Sequence, residues 1–297
     1  MKKVICFGEI LWDMLPSGKV PGGAPMNVAF HLNQFGWNCK MISRVGGDPL
    51  GQELVDFLEN KRIPKDFIQI DPVHPTGTVK VELDEKGIPS YEIIDQVAYD
   101  FLEVSEEINK EVAEADVFIY GSLASRNETS RKMIMDLLEN TGVKIFDINL
   151  REPHYTRNTL EGLLKSADIV KMNDEELDII ASWHQDLTTL ASKMKLIKSQ
   201  YKLLSLIITR GKEGASVLDE EGKIHHSSHQ FDIKVLDTVG CGDAFLAGYV
   251  SKMMEGATVE TCLEFASGMG AYLATQRGAT PFLKEENIYQ FIHNARV

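Results

Sequence analysis

Asp243 stands directly behind Gly240-Cys241-Gly242 and at the head of the apolar run Ala244-Phe245-Leu246-Ala247-Gly248-Tyr249. In DTVGCGDAFLAGY, from Asp237 to Tyr249, a carboxylate is thus kept at the mouth of a buried helix. One reading is ordinary, because Asp near a helix start is a capping residue. The other is chemical. Three N–H groups with little side chain around them, together with the helix dipole, form a seat for an anion, and the neighbouring carboxylate can take a proton. On this second reading the capping position and the anion seat are one device. A second glycine-rich stretch, VPGGAPMNVAFHL, puts Gly22-Gly23 before another helix, with Asn27 in its first turn. Glycine lets a ligand approach the backbone, and the Asn amide donates and accepts at once, as adjacent hydroxyls require. A tight turn and a helix cap would leave the same trace.

Other site signatures are missing. The chain has no GxxxxGK[ST], no GxGxxG and no GxSxG. His225, His226 and His229 cluster in a polar hairpin without a companion cysteine or carboxylate pattern, which reads as a solvated strand and not a metal site. Cys6, Cys39, Cys241 and Cys262 lie far apart with no CxxC, so neither a zinc site nor a disulfide scaffold is indicated. With 31 basic and 44 acidic residues the net charge is −13, which argues against nucleic acid and anionic membranes as partners. A small anion is not excluded, since local N–H groups can hold phosphate inside an acidic protein. The N-terminal MKKVICFGEILWDML is too briefly apolar for a signal peptide, and a reducing cytoplasm fits best.

These residues need elements to hold them. Short β-branched runs (KVICFG, CKMISRVG, DVFIYGS, VKIFDIN, DIVKMN, LLSLIITRG) alternate with amphipathic ones (APMNVAFHLNQFG, DPLGQELVDFLENK, NETSRKMIMDLLENTG, NDEELDIIASW). The alternation predicts an α/β fold with a mostly parallel central sheet flanked by helices on both faces. Ligands of such sheets sit beyond the carboxyl ends of the strands. TGTVKVELDEKGIPSYEIIDQ breaks the rhythm with period-two alternation around a DEKG turn, a hairpin signature. With EILWDMLPSGKVPGG it predicts a small β lid from residues 10–22 and 75–100, on a single domain spanning 1–297. A second hairpin-like stretch, GASVLDEEGKIHHSSHQFDIKVLDT, precedes three C-terminal helices. An exposed lid hairpin could pair with another chain, giving a homodimer.

GGAPMNVAFHLNQFGWNCKMISRVGGDPLG and DTVGCGDAFLAGY resemble the two signatures of the ribokinase (PfkB) family of carbohydrate kinases, and the likeness extends over essentially the whole chain. FGEILWDMLP resembles the family's first strand with its sugar-contacting Asp, KMNDEE its Asn-x-x-Glu motif, and ITRGKEGA its nucleotide-side strand and turn. GGAP, with Ala24 where ribokinases usually carry Lys, is the fructokinase-like form. FDINLR resembles the Asp-x-Asn-x-Arg stretch of fructokinases and ketodeoxygluconate kinases.

The resemblance implies a ribokinase-like kinase that moves the γ-phosphate of ATP to a sugar's primary hydroxyl, fructose first. Ribose, a keto-sugar acid and a nucleoside are the alternatives, and a catalytically silent sugar sensor is the reading from another class. In the implied site Asp243 is the base and Gly240, Cys241 and Gly242 are the anion seat. Asp13, Gly22, Gly23 and Asn27 hold the sugar, and Arg151 is either a sugar or phosphate contact or a surface ion-pair member. Asn173 and Glu176 organise Mg2+ and its waters, and Thr209, Gly211 and Gly214 border the nucleotide. A monovalent cation, K+, would lie beside Asp237 and Thr238. Ala98 to Asp100 are expected to face the sugar. FASG departs from the family by placing Ser267 where an Asn often meets the nucleoside.

Overall fold

The computed structural model describes residues 2–83, 89–227 and 231–295. Its centre is a nine-stranded sheet. In chain order the strands are β1 (Lys3–Phe7), β4 (Asn38–Gly46), β5 (Ile68–Asp71), β8 (Val117–Gly121), β9 (Val143–Asp147), β10 (Ile169–Asn173), β11 (Ser205–Thr209), β12 (Ala215–Leu218) and β13 (Ile224–His226). Across the sheet they run β13-β12-β11-β10-β9-β8-β1-β4-β5. From β5 to β11 every neighbouring pair is parallel, and β12 and β13 extend that edge antiparallel. The fold is ribokinase-like α/β, as the strand–helix alternation and the resemblance imply.

Both faces of the sheet are covered, which is why its strands are apolar almost throughout rather than alternating. In β1, Ile5 and Phe7 enter one core with α3 (Glu106–Ala113), α4 (Glu128–Leu138), α5 (Arg157–Ser166), α6 (Asp174–Ser182) and α7 (Leu190–Tyr201). Val4 and Cys6 enter the other, with α1 (Ala24–Gln34), α2 (Pro49–Asn60), α8 (Cys241–Glu255), α9 (Val259–Ala274) and α10 (Glu285–Asn294). The helix starts follow local chemistry. Asp48 accepts the Gly51 N–H at 2.8 Å with Pro49 in the first turn of α2, as expected from its sequence, and Asn127 caps α4 through the Thr129 N–H.

A second, four-stranded sheet stands outside this body in the order β3-β2-β6-β7, from β2 (Leu11–Leu15), β3 (Gly18–Gly22), β6 (Gly77–Leu83) and β7 (Pro89–Ile93). The DEKG turn lies outside the described residues, as does His229. Downstream of β7, Ala98–Phe101 form a 3-10 turn that returns to the body, where Ala98, Tyr99 and Asp100 are buried. Among the described residues, no helix is long and apolar enough to cross a membrane.

The histidine reading needs correction. His225 is not a solvated strand residue: it is buried, with Nε2 2.6 Å from Asp219 and Nδ1 2.9 Å from Glu260. Glu260 opens α9, 35 positions away, so no local pattern could reveal it. His226 is exposed and meets the Ser216 hydroxyl.

Candidate active site

The ends of β1, β9 and β10 bring polar side chains to one edge of the sheet, and α8 points its N-terminus at them. Gly240 is the N-cap of α8 with φ +76, and a Cβ there would lie 2.6 Å from Ala279 Cβ. Only glycine takes this left-handed corner without strain, so the tight entry to the helix depends on it. Asp243 sits in the first turn, but α8 has no side-chain cap. The expectation that Asp243 doubles as a cap is therefore corrected, and its carboxylate turns instead to α1. Oδ2 accepts a hydrogen bond from Asn27 Nδ2 at 2.7 Å, joining the two glycine-rich stretches. In the glycine run itself, the Cys241 N–H is turned to the Thr238 carbonyl at 3.3 Å. Gly242 is exposed at the helix mouth.

Asp243 is pushed up to about 6, first by burial and then by Asp147, while Asn27, Lys171 and Arg151 act in the other direction. A carboxylate so placed is poised between holding and releasing a proton near neutrality. Asp147, at the end of β9, accepts from Lys171 Nζ at 2.6 Å. Glu9, just past β1, is buried; it accepts the Ala24 N–H through Oε1 at 3.2 Å, and its Oε2 has no partner. Burial above all lifts it to about 7.

Asn27 is buried too, and its Oδ1 is without a partner in the protein. A buried acceptor left open costs stability unless something fills it, so this oxygen is a free valence for a ligand. Gly23 has φ +122, and a Cβ there would strike the Glu9 carbonyl oxygen. A Cβ at Gly22 would stand 2.7 Å from Asp13 Oδ2, so backbone and carboxylate form one surface. Burial raises the Asp13 carboxyl and Arg151 lowers it. Arg151 is exposed, with Nη1 on the Leu150 carbonyl at 3.0 Å, and its charge acts on Glu9, Asp13, Asp147 and Asp243. It faces the site.

Asn173 and Glu176 form a reciprocal cap of α6. Asn173 Oδ1 accepts the Glu176 N–H at 2.7 Å, and Glu176 Oε2 accepts the Asn173 N–H at 2.8 Å. Glu176 Oε1 takes the Leu150 N–H at 2.9 Å, which ties the segment carrying Arg151 to this helix. Both carboxylate oxygens are thus occupied by backbone, and among the described residues no group of three His, Cys, Asp or Glu could hold a metal. These residues do not fit a divalent ion bound by the protein alone.

Thr209 lies beside Asn173 in the β10–β11 register. Gly211 and Gly214 flank the 3-10 turn that follows, closed by the Arg210 N–H on the Gly214 carbonyl at 2.8 Å. Asp237 pins the approach to α8, accepting the Val239 and Gly278 N–H groups at 3.0 Å each, while Thr238 is exposed. Ser267 Oγ is buried on α9 without a partner.

Asp100 is not free to meet a ligand. Arg126 donates to both its oxygens, at 2.7 and 2.8 Å, and the pair locks the 3-10 turn onto the residues after β8. Tyr99 does approach the site, with a buried hydroxyl that has no partner and whose acidity feels Glu9. A hollow of about 910 Å³ lies elsewhere, along α4 and α5 beside Arg131, His154 and Lys165; Asp100 and Arg126 line it, and the other site residues do not.

The sequence matches the description "pfkB family carbohydrate kinase" over residues 4–286. The chain belongs to that family. The kinase is 29% identical to a fructokinase of Salmonella typhimurium, with 93% of this chain and 94% of the relative aligned. In structure it resembles the Vibrio cholerae O395 fructokinase solved with fructose, ADP and calcium, at TM-score 0.83 and 25% identity, covering 98% and 99% of the two chains. It is also similar to an uncharacterised sugar kinase of Pyrococcus horikoshii in complex with ATP, at TM-score 0.82 and 25% identity, covering 98% and 99%. It is a phosphotransferase with an alcohol group as acceptor.

A carboxyl whose folded pKa is raised contributes stability below its unfolded value and loses it as pH rises through the folded one. For Asp243 that window runs from the ordinary 3.8 to about 6. Above it the ionised native carboxylate costs about 1–3 kcal/mol, the lower figure reflecting its partial exposure. Asp243→Asn should therefore melt higher than the parent at pH 8, with the gain shrinking to nothing near pH 4. Melting curves over that range check it; equal midpoints at pH 8 would mean that the site holds the charge at no cost.

Proposed function

We propose that this carbohydrate kinase transfers the γ-phosphate of ATP to a primary hydroxyl of a small neutral sugar, with fructose the foremost candidate. The observation that carries the reading is the Asn27–Asp243 hydrogen bond, which sets a carboxylate with a raised pKa beside an unfilled sugar-type acceptor. In the proposed step, the sugar hydroxyl lies against Asp243. As its oxygen attacks the γ-phosphorus, the proton passes to the carboxylate, the new P–O bond forms and the bond to the β-phosphate oxygen breaks, releasing ADP. The N–H groups of Gly240, Cys241 and Gly242 and the α8 dipole receive the charge of the moving phosphoryl group, the Cys241 N–H by leaving the Thr238 carbonyl.

Asp13, Asn27 and the backbone of Gly22 and Gly23 hold the remaining hydroxyls. The four-stranded sheet acts as the lid over them, and its outer strands are the surface for a homodimer. Thr209, Gly211 and Gly214 border the nucleotide. Asn173 and Glu176 would organise the waters of a divalent ion, Mg2+, brought in with the nucleotide, which would supply charge neutralisation on the phosphates. Asp237 and Thr238 would hold a monovalent cation, which would add positive charge beside the α8 entrance.

The preference for a neutral sugar follows from charge. Glu9, Asp13, Asp147 and Asp243 are four carboxylates, against which the site sets Lys171 and Arg151. A sugar acid would add a further negative charge where carboxylates already outnumber cations. The relatives named fructokinase support the same choice.

ATP consumption across fructose, ribose, ketodeoxygluconate, adenosine and fructose phosphates tests it. Fructose should have the highest kcat/KM; a clear lead for ketodeoxygluconate would give Arg151 the role of carboxylate anchor and reject fructose. No turnover with any acceptor would favour a sensor.

Asp243→Asn keeps the size of the side chain and loses the proton acceptor. Its kcat should fall by about 10²–10⁴ while sugar and ATP still bind. A folded variant that retains more than about a tenth of the parental kcat would exclude Asp243 as the base, provided chemistry limits turnover.

A further inference from the structure

Lys171 lies near the site, and neither glycine-rich stretch announces it. Asp147 and Lys171 are direct neighbours in the β9–β10 register, bonded at 2.6 Å, and both are buried. Lys171 shares a face of β10 with Ile169, which packs in the same core as Ala244 of α8. Its ammonium therefore points at the start of that helix. Nζ lies 3.5 Å from where a Cβ at Gly242 would stand, so the bare glycine leaves the cation next to the helix mouth. Asp243 and Glu176 are both among the charges that act on Lys171.

Buried ion pairs seldom improve on apolar residues of the same volume, because both ions lose their hydration. An apolar side chain at 171 would continue the Ile169 face, so packing alone does not call for lysine here. Phosphoryl transfer does. It brings a multiply charged group up to a helix mouth that already faces Asp147 and Asp243, and fixed positive charge is what such a transition state uses.

We propose that Lys171, held by Asp147, is a positioning residue for phosphoryl transfer that supplies fixed positive charge behind Asp243 and the entrance of α8. Asp147 aims the ammonium, and Lys171 offsets the repulsion between Asp147, Asp243 and the incoming phosphate. The inference rests on the kinase reading above. Besides this pair, the groups that face Asp243 are Asn27 from α1, Glu9 beyond β1, Arg151 after β9 and Cys241 on its own helix.

Two variants test it together with the parent and Asp243→Asn. Asp147→Asn removes a negative neighbour of Asp243 and leaves Lys171 charged. Both effects favour ionised Asp243, so the acid limb of the kcat–pH profile should move down by about half a unit or more. The double variant Lys171→Met, Asp147→Asn leaves no unpaired charge in the sheet. It should melt near the parental temperature, keep the sugar KM within about threefold, and lose at least about tenfold in kcat. An unmoved acid limb, or a folded double variant with half the parental kcat, overturns the proposal. A double variant that fails to fold also overturns it, by assigning the pair to stability. A silent parent strikes the kinase reading itself, whereas an active parent with an equally active double variant strikes only the role of Lys171.

Discussion

A single hydrogen bond, from Asn27 Nδ2 to Asp243 Oδ2, joins side chains 216 positions apart in the chain. Almost every feature of the site can be traced to the requirement that these two groups meet. Asn27 is brought by α1, whose start is set by Gly23 in a conformation that places its backbone against Glu9. Asp243 is brought by α8, whose start is set by Gly240 against Ala279. The Ala279 carbonyl in turn meets His31 Nε2 at 2.9 Å, so α1 is tied to the corner before α8 at a second point. His31 is buried and its pKa drops to about 4, first through burial, so it stays neutral there and adds no cation to the contact.

The opposing constraint is electrostatic. Several carboxylates converge where the protein must also receive phosphate, and each loses hydration. The site answers with distinct devices. Asp147 is paired with Lys171, Glu176 is saturated by the N–H groups of Asn173 and Leu150, and Glu9 is lifted towards protonation. Asp243 receives one amide hydrogen bond, keeps a partial opening to solvent and stays suspended near its titration point. Burial, with the negative charge of Asp147 behind it, makes this carboxylate basic enough to accept a proton. Stability is given up at the place where reactivity is needed, as expected of a strained functional site.

How much of this could be read from the chain depends on the range of the interactions. The strands β1, β4 and β8 to β11 and the helices α1, α2, α4, α6 and α8 carry their own signals: β-branched runs, Pro in a first helical turn, Asp48 as a cap. Gly22-Gly23 and Gly240-Cys241-Gly242 are conspicuous because bare backbone has a chemical use. Lys171 and Asp147, by contrast, sit inside VKIFDIN and DIVKMN as ordinary strand residues, and only the register of two parallel strands makes them partners. Asp100 looked available until Arg126, 26 positions on, claimed it, and His225 looked solvated until Glu260 reached it from α9. β5, four residues at the sheet edge, has too short a period to stand out. Side-chain pairs across elements are set by topology, and a single sequence does not display topology.

The account turns on Asp243 being ionised only near neutrality in the folded, ligand-free protein. An infrared titration of the parent minus Asp243→Asn isolates this one carboxyl. Its carboxylate band should appear with a midpoint near pH 6. A band already complete by about pH 4.5, as for an ordinary solvated aspartate, would contradict the claim that the site holds this carboxylate poised as a base.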